Sequence, residues 1–332
     1  MKNDLHGKTV YVTGGSGGLG KAIAKLLASK GANVTIFARR KGPLEEARAE
    51  ILASRAHEDQ NITGIALDLS DREKARETFL AQPQIPDALY CAAGGNHAEN
   101  GFLVDLDENQ LDCCMKNNYY ATLYPTKAVA DMWIKDDKQN TKHEGLPKLR
   151  QVIMVSSAAA FLGLPGSVAY TPSKVAVRAL ADTLRMEFMR YSSKTSNYTV
   201  HCAFPGDFIS PGFYLEQNTK TSLTKRMQGT DMSLEALEAK YPSSDEIAAL
   251  IVTGVDRGEF IICDKSLAIS LLFTNMIGPS PKRGLGILDS LLGLLTSWIL
   301  FPILRRRWEA MTRDDGRAWR QTWDESEDRM QD

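Results

Sequence analysis

The chain has 332 residues, 43% of them apolar and 24% charged, the composition of a globular enzyme and not of a disordered, collagen-like or coiled-coil protein. Forty lysines and arginines stand against 41 acids, a formal net charge of −1, so no overall basic field exists to hold nucleic acid. A mean hydropathy of −0.26 excludes a polytopic membrane protein, although such an average can hide one apolar segment.

Met1 to Asp4 lead through a polar stretch into a strand, with no apolar signal segment. From there to about residue 264, short apolar runs alternate with segments of helical period. Strands are expected at Thr9–Val12, Asn33–Phe37, Ile62–Leu67, Ala88–Cys91, Gln151–Ser156, Thr199–Ala203 and Glu259–Cys263. Amphipathic helices are expected at Lys21–Lys30, Leu44–Ala56 and Val175–Tyr191. This alternation predicts an α/β fold: a doubly wound parallel sheet of about seven strands, of Rossmann type, with helices on both faces. Residues 135–149 are polar and without period, and read as a surface loop before the fifth strand. Two units are expected, a catalytic body over 1–264 and a hydrophobic helical extension with a polar end over 265–332. The five cysteines, Cys91, Cys113, Cys114, Cys202 and Cys263, show no framework spacing, which fits a reduced, cytosol-facing chain. His6, His57, His97, His143 and His201 stand far apart, so a metal site is not expected.

Between the first strand and first helix the chain reads Thr13-Gly14-Gly15-Ser16-Gly17-Gly18-Leu19-Gly20. Glycines there let the backbone approach a pyrophosphate seated on the helix N-terminus. A Gly-rich run alone could be a flexible turn; its place in a strand–helix junction at the start of a βαβ pattern favours the phosphate reading. The second strand ends in Ala38, followed by Arg39-Arg40. An acid at this position would bind a ribose 2′-hydroxyl; two guanidinium groups instead suit a 2′-phosphate, as in NADP(H). The competing reading is a solvated basic turn.

Tyr170-Thr171-Pro172-Ser173-Lys174 opens the long helix after the fifth strand. Residues four apart share a face, so phenol and ammonium point the same way. The ammonium is expected to lower the phenol pKa and make Tyr170 a usable acid/base. Ser157 precedes Tyr170 by thirteen residues, and the Ala-, Gly- and Pro-containing loop between them can fold it back as a donor to a substrate oxygen.

Taken together, the T-G-x3-G-x-G loop, Ala92-Ala93-Gly94 after a strand, Asn118, Ser157 and the Tyr170/Lys174 pair resemble the short-chain dehydrogenase/reductase family over roughly residues 5–264. The resemblance implies a NADPH-dependent oxidoreductase with Asn118, Ser157, Tyr170 and Lys174 as catalytic residues. Asn118 would hold a water that relays protons to Lys174, and Lys174 would also hold the nicotinamide ribose. Gly14, Ser16, Gly18, Leu19, Gly20, Arg39, Arg40 and Gly94 would bind the cofactor. Asp68-Leu69 would contact its adenine, and Pro205-Gly206 through Ser210 would pack on the nicotinamide and bond its carboxamide. Two departures are mild: Cys91 stands where the family has Asn, reading as a buried small hydrophobe, and Ser210 stands where Thr is commoner. Members of the family usually dimerise through the helices carrying Asn118 and Tyr170, which makes a homo-oligomer, dimer or tetramer, the expected state.

Residues 211–242 occupy the position of a substrate lid. Met227 and Met232 either line a greasy channel or pack in the core. Beyond it, Leu285–Leu304 holds twenty residues with one charge, Asp289, long enough as a helix to match a hydrocarbon core of about 30 Å. Leu267–Gly278 is a shorter apolar stretch upstream. Lys282-Arg283 and Arg305-Arg306-Arg307 flank the long segment on both sides. Symmetric basic flanks, with Asp289 and Pro302, favour a segment lying on or dipping into one membrane face; a single span and a helix lining a substrate channel or an oligomer contact are the alternatives. Ser210-Pro211-Gly212-Phe213, Asn118-Tyr119 with Tyr124-Pro125, and the apolar extension resemble the branch of the family that reduces 3-ketodihydrosphingosine to dihydrosphingosine. That implies a lipid-like keto-base substrate, a membrane-surface partner and the cytosolic face of the endoplasmic reticulum. The competing functions are a membrane-associated steroid or retinoid dehydrogenase and a non-catalytic NADP(H)-binding scaffold.

Overall fold

Residues Thr9–Thr13 (β1) are buried along their whole length, which requires a strand covered on both faces. The computed structural model describes residues 5–96, 99–140, 146–263, 266–275 and 282–331. After β1 follow α1 (Gly18–Ser29), β2 (Asn33–Ala38), α2 (Lys41–Ala53), β3 (Ile62–Ala66), α3 (Arg72–Leu80) and β4 (Ala88–Cys91). The chain then forms α4 (Glu108–Met115), α5 (Ala121–Gln139), β5 (Lys148–Val155), α6 (Tyr170–Tyr191) and β6 (Ser196–Phe204). Four shorter or peripheral helices, α7 (Pro211–Thr219), α8 (Ser222–Gln228), α9 (Leu234–Lys240) and α10 (Ser244–Asp256), precede β7 (Ile261–Cys263).

Among the described residues the strands form one seven-stranded sheet in the order β3-β2-β1-β4-β5-β6-β7, with every neighbouring pair parallel. Successive strand residues face opposite sides, so Val10 and Val12 join one core with Ile23, Leu27 and Ile251. Tyr11 points into the other, with Phe37, Phe79, Trp133 and Phe188. Strand order reverses between β1 and β4, and the crevice beyond their carboxyl ends is where an open α/β sheet binds its ligand.

The expected loop at 135–149 is corrected at both ends: α5 runs through Gln139 and β5 starts at Lys148, while 141–145 lie outside the described residues. Its charges are paired across the structure. Asp136 accepts from Lys148 at 2.7 Å and from Arg150; Asp137 accepts from Ser196 at 2.7 Å and Tyr198 at 2.6 Å. A sequence without period here hides long-range ion pairing, not solvation.

The C-terminal region forms α11 (Leu267–Leu272), α12 (Ile287–Leu295) and α13 (Phe301–Gln331). A π-helical turn at Thr296–Leu300 joins the last two. The end of the Leu267–Gly278 stretch and the boundary drawn at 264/265 fall outside the described residues. Where α12 packs on the Phe273–Asn275 turn, its inward face is Asp289 and Gly293, continued by Thr296. A Cβ at Gly293 would come within 2.9 Å of the Thr274 carbonyl oxygen, so the close approach needs glycine. Leu288, Leu291, Leu294, Leu295, Trp298 and Ile299 are exposed. This helix is inverted relative to the usual surface helix, with small and polar residues inward and apolar ones outward. Asp289 itself is buried and accepts from the Arg283 backbone N–H at 3.0 Å and from its guanidinium Nη2 at 2.6 Å. It neutralises a flanking basic residue and closes the start of α12.

Candidate active site

The phosphate loop leaves β1 at Thr13 and enters α1 with Gly17 in the capping position. Gly14 has φ +71°, and a Cβ there would lie 2.8 Å from the Ala93 backbone, so β1 and the β4 loop meet too closely for any side chain. At Gly17 a Cβ would meet nothing within 4 Å, and at Gly18 only the Ser210 side chain at 3.6 Å. The helix end thus opens on a bare backbone cradle faced by Ser210, which fits a dinucleotide pyrophosphate. Leu19 and Gly20 are buried beneath it and Ser16 is half-buried.

Arg39 and Arg40 are exposed where β2 ends. The Arg39 guanidinium donates to Asn117 at 3.1 Å, and Arg40 caps α2. Asp68 accepts from the Ser70 N–H and hydroxyl, and Leu69 is buried. Ser210, expected to bond the carboxamide, uses its hydroxyl oxygen to cap α7, accepting from Phe213 N–H at 3.0 Å; it still faces the phosphate loop. The Pro205 carbonyl accepts from Ala158 N–H at 3.0 Å, tying the β6 loop and Gly206 to the segment after Ser157.

Two catalytic candidates, Asn118 and Lys174, converge on Gly94. At its φ of +144°, a Cβ would lie 2.5 Å from Asn118 Oδ1 and 3.4 Å from Lys174 Nζ. Asn118 is fully buried in a π-helical turn at Lys116–Tyr120, a distortion that aims one side chain out of helical register. Its amide nitrogen donates to the Gly95 and Cys114 carbonyls and its oxygen accepts from Gly95 N–H. Lys174 is buried, donates to the Val155 carbonyl at 3.1 Å, and lies 5.6 Å from the Tyr170 ring centroid. Ser157 stands near enough to Tyr170 to lower its phenol pKa, and its oxygen accepts from Ala159 N–H at 3.1 Å.

The expected effect of the ammonium on the phenol does not hold in this structure. Burial pushes the Tyr170 phenol well above its usual range, the Glu216 charge adds to the rise, and the Ser157 hydroxyl opposes it. Burial likewise pushes the Lys174 ammonium down to about 8. Desolvation is the largest cause of both shifts, and neither group figures among the causes of the other's. A protonated phenol is the form that can donate to a carbonyl oxygen.

Glu216 and Lys220 lie in the lid segment 211–242, and Asp207 between Gly206 and Ser210. Lys220 Nζ stands 3.0 Å from Glu216 and 3.7 Å from Asp207, and burial raises Glu216 to about 7. The i, i+4 spacing of Glu216 and Lys220 was the available signal. Cys91 is fully buried, as expected. Beyond the Ala158–Phe161 turn that follows Ser157, a cavity of about 1180 Å³ lies between the body and the C-terminal helices, with Phe161, Val175, Met227, Leu272 and Phe301 among its lining residues. Met227 therefore faces the cavity, whereas Met232 is exposed and does not line it.

This chain belongs to the short-chain dehydrogenase family, whose model matches residues 8–212; it is an oxidoreductase that works with a nicotinamide cofactor. It is 35% identical over 304 residues to the PIGF/3-ketodihydrosphingosine reductase fusion protein of Schizosaccharomyces pombe, covering 92% of this chain and 56% of that protein. It is 34% identical over 260 residues to a 3-ketodihydrosphingosine reductase of Bos taurus, covering 77% of this chain and 70% of that one. The chain thus spans little more than half the length of the fusion protein. Among solved structures it resembles a short-chain dehydrogenase/reductase from Burkholderia phymatum in complex with NAD, at 18% identity and a TM-score of 0.66, covering 81% of this chain and 92% of that one. That likeness supports the fold.

Proposed function

We propose that the chain reduces 3-ketodihydrosphingosine (3-dehydrosphinganine) to dihydrosphingosine with NADPH, as a step of sphingolipid synthesis. The observation that carries the reading is the grouping of Ser157, Tyr170 and Lys174 beside a bare phosphate cradle; an apolar cavity lined by their chain neighbours Ala160, Thr171 and Val175 and walled by the C-terminal helices lies next to them. Relatives named for this activity align over most of the chain, that extension included. Arg39 and Arg40 would clasp the 2′-phosphate, replacing the acid that an NAD site uses.

Bound NADPH supplies the hydride that reaches the ketone carbon. The protein holds the ketone oxygen between the Ser157 and Tyr170 hydroxyls. Tyr170 gives that oxygen its proton, and Ser157 donates a hydrogen bond to the charge that develops there. Lys174 returns a proton to the phenolate, and Asn118 fixes the Gly95 backbone next to Gly94, the residue beside which the Lys174 ammonium stands. The long alkyl chain would run into the cavity past Phe161 and Phe301.

The inverted helix α12 favours association with one membrane face, here the cytosolic face of the endoplasmic reticulum, over a span. Ile287–Gly316 is long and apolar enough to cross a bilayer, yet its Gly293–Thr296 face packs on Thr274, next to Phe273, which is buried in the core of the catalytic body. The body, to about residue 264, and the tail would then act as one enzyme. Exposed Met186 and Met189 on α6 suit a homo-oligomer contact on the helix bearing Tyr170.

The test is NADPH oxidation by the full chain with 3-ketodihydrosphingosine, beside a ketosteroid, a retinal and NADH. Selective turnover of the keto base with NADPH is expected. Faster turnover of the steroid or retinoid would transfer the assignment to the other membrane dehydrogenases, and cofactor binding without turnover of any ketone would indicate a scaffold.

A further inference from the structure

The reaction as derived leaves one charged group near the phenol without a task. Asp207 follows Pro205-Gly206 at the end of β6, and Glu216 stands on α7 one turn before Lys220. The Lys220 side chain is 1% exposed, with its ammonium 3.0 Å from Glu216 and 3.7 Å from Asp207 and 5.7 Å from the Phe213 ring centroid. At that depth the ammonium completes no hydrogen bond of regular geometry. Gln217, 5% exposed, leaves both side-chain amide atoms unpartnered. Stability alone is a poor account of such a cluster, since desolvating charges costs more than an imperfect pair returns.

The cluster has features of a recognition site. With both carboxyls ionised, two carboxylates around one ammonium leave a net charge of −1, which suits an incoming cation. Glu216, unlike Lys220, is not sealed: its side chain is 22% exposed. It also acts directly on the Tyr170 hydroxyl, where its charge is the largest electrostatic influence on the phenol after burial. In a 2-amino ketone the nitrogen is bonded to the carbon next to the carbonyl. Once the ketone oxygen lies between Ser157 and Tyr170, that nitrogen must fall within the immediate surroundings of the phenol. Burial holds the Glu216 carboxyl at about 7, poised to ionise fully when a cation arrives.

Resting on the keto-base reading above, we infer that Glu216, fixed from behind by Lys220 and Asp207, receives the ammonium next to the ketone and so selects 2-amino ketones over plain ketones. Lys220 positions the carboxylate and Asp207 balances Lys220; neither needs to touch the substrate. A charge-assisted hydrogen bond of this kind accounts for roughly ten- to hundredfold in kcat/KM.

The experiment uses the full chain with NADPH and two ketones, 3-ketodihydrosphingosine and 1-hydroxyoctadecan-3-one, which keeps the chain and lacks only the amine. In Glu216→Gln, the ratio of kcat/KM for the amino ketone to that for the plain ketone should fall about ten- to hundredfold. Glu216→Asp, which keeps the charge one methylene further back, should recover part of that ratio. Nicotinamide fluorescence on NADPH binding reports folding. If Glu216→Gln does not bind NADPH, Glu216→Asp carries the test, with a drop of about threefold or more expected. An equal loss for both ketones, or an unmoved ratio, overturns the inference while leaving the functional reading intact. A wild-type chain that does not reduce 3-ketodihydrosphingosine overturns that reading, and this inference with it.

Discussion

Lys174 lies 5.6 Å from the centre of the Tyr170 ring, close enough to hold the phenol's surroundings yet without a hydrogen bond to its oxygen among the described contacts. The phenol has Ser157 as its neighbour, and the ammonium donates to the Val155 carbonyl. Both ionisable groups are therefore driven toward their neutral forms by burial. That arrangement suits proton donation to a ketone better than proton removal from an alcohol.

Replacing Tyr170 by Phe removes the proton donor and leaves the phosphate loop and both arginines in place. The kcat for ketone reduction should drop about a thousandfold, within the usual range for a general acid. NADPH affinity, followed by nicotinamide fluorescence, should change by about twofold or less. Residual turnover within tenfold of wild type would remove Tyr170 from the proton-donating role.

The lysine predicts the sign of the pH dependence. Its pKa is lowered to about 8 by burial, so it is charged below that pH and neutral above it. Tyr170 is raised and stays protonated across the same range. The kcat for reduction should hold level below about pH 8 and decline above it as the ammonium that reprotonates the phenolate is lost. In Lys174→Arg, whose guanidinium does not titrate there, the descending limb near pH 8 should vanish, at a lower kcat. A limb that persists in this variant would assign it to another group.

Arg39 and Arg40 predict the cofactor preference. Both are exposed, and Arg39 is steadied by Asn117. Changing both to Ala should weaken NADPH binding about ten- to hundredfold, since two charge-assisted contacts to a phosphate are lost. NADH binding should move by about twofold or less. Equal loss for both cofactors would mean that the pair supports the fold of the loop and does not read the 2′-phosphate.

The sheet was legible because its strands are short, apolar and evenly spaced, and the order of the loop, Ser157, Tyr170 and Lys174 points to the crevice from sequence alone. What sequence concealed was burial and long-range pairing. Asp136 and Asp137 looked solvated because their partners Arg150, Ser196 and Tyr198 arrive from later strands. Within the lid segment, nothing local distinguishes Lys220, which is 1% exposed beside Glu216, from a surface lysine. Asp289 looked like an obstacle to an apolar helix until Arg283 folded back onto it. The direction of the Lys174 effect on Tyr170 failed for the same reason: the reading weighed the attraction and could not weigh the desolvation.

The Arg283–Asp289 pair makes the docking of α12 testable. Asp289 is buried while Arg283 retains partial exposure, so Asp289→Ala leaves a partly screened cation and costs about 2 kcal/mol of docking. Trypsin should then cleave near Lys282 and Arg283 about ten times faster, with little change in the melting temperature of the catalytic body. Cleavage at the wild-type rate would show that the pair does not hold the helix down.

The outward face of the same helix yields the last prediction. Leu288, Leu291, Leu295 and Trp298 follow one another at intervals of three and four residues and are all more than half exposed. Such a stripe, longer than scattered surface hydrophobes explain, marks a surface meant to be covered. Each side chain contributes about 1–2 kcal/mol when transferred from water into lipid. Changing Leu288, Leu291 and Trp298 together to Ser should release the protein from sedimenting liposomes, lowering the bound fraction at least tenfold. These residues point away from the docked face, so kcat/KM for a short, water-soluble 2-amino ketone should stay within about twofold. Persistent binding to liposomes would assign the stripe to a contact between protein chains, and gel filtration of the same variant would then show a change in oligomeric state.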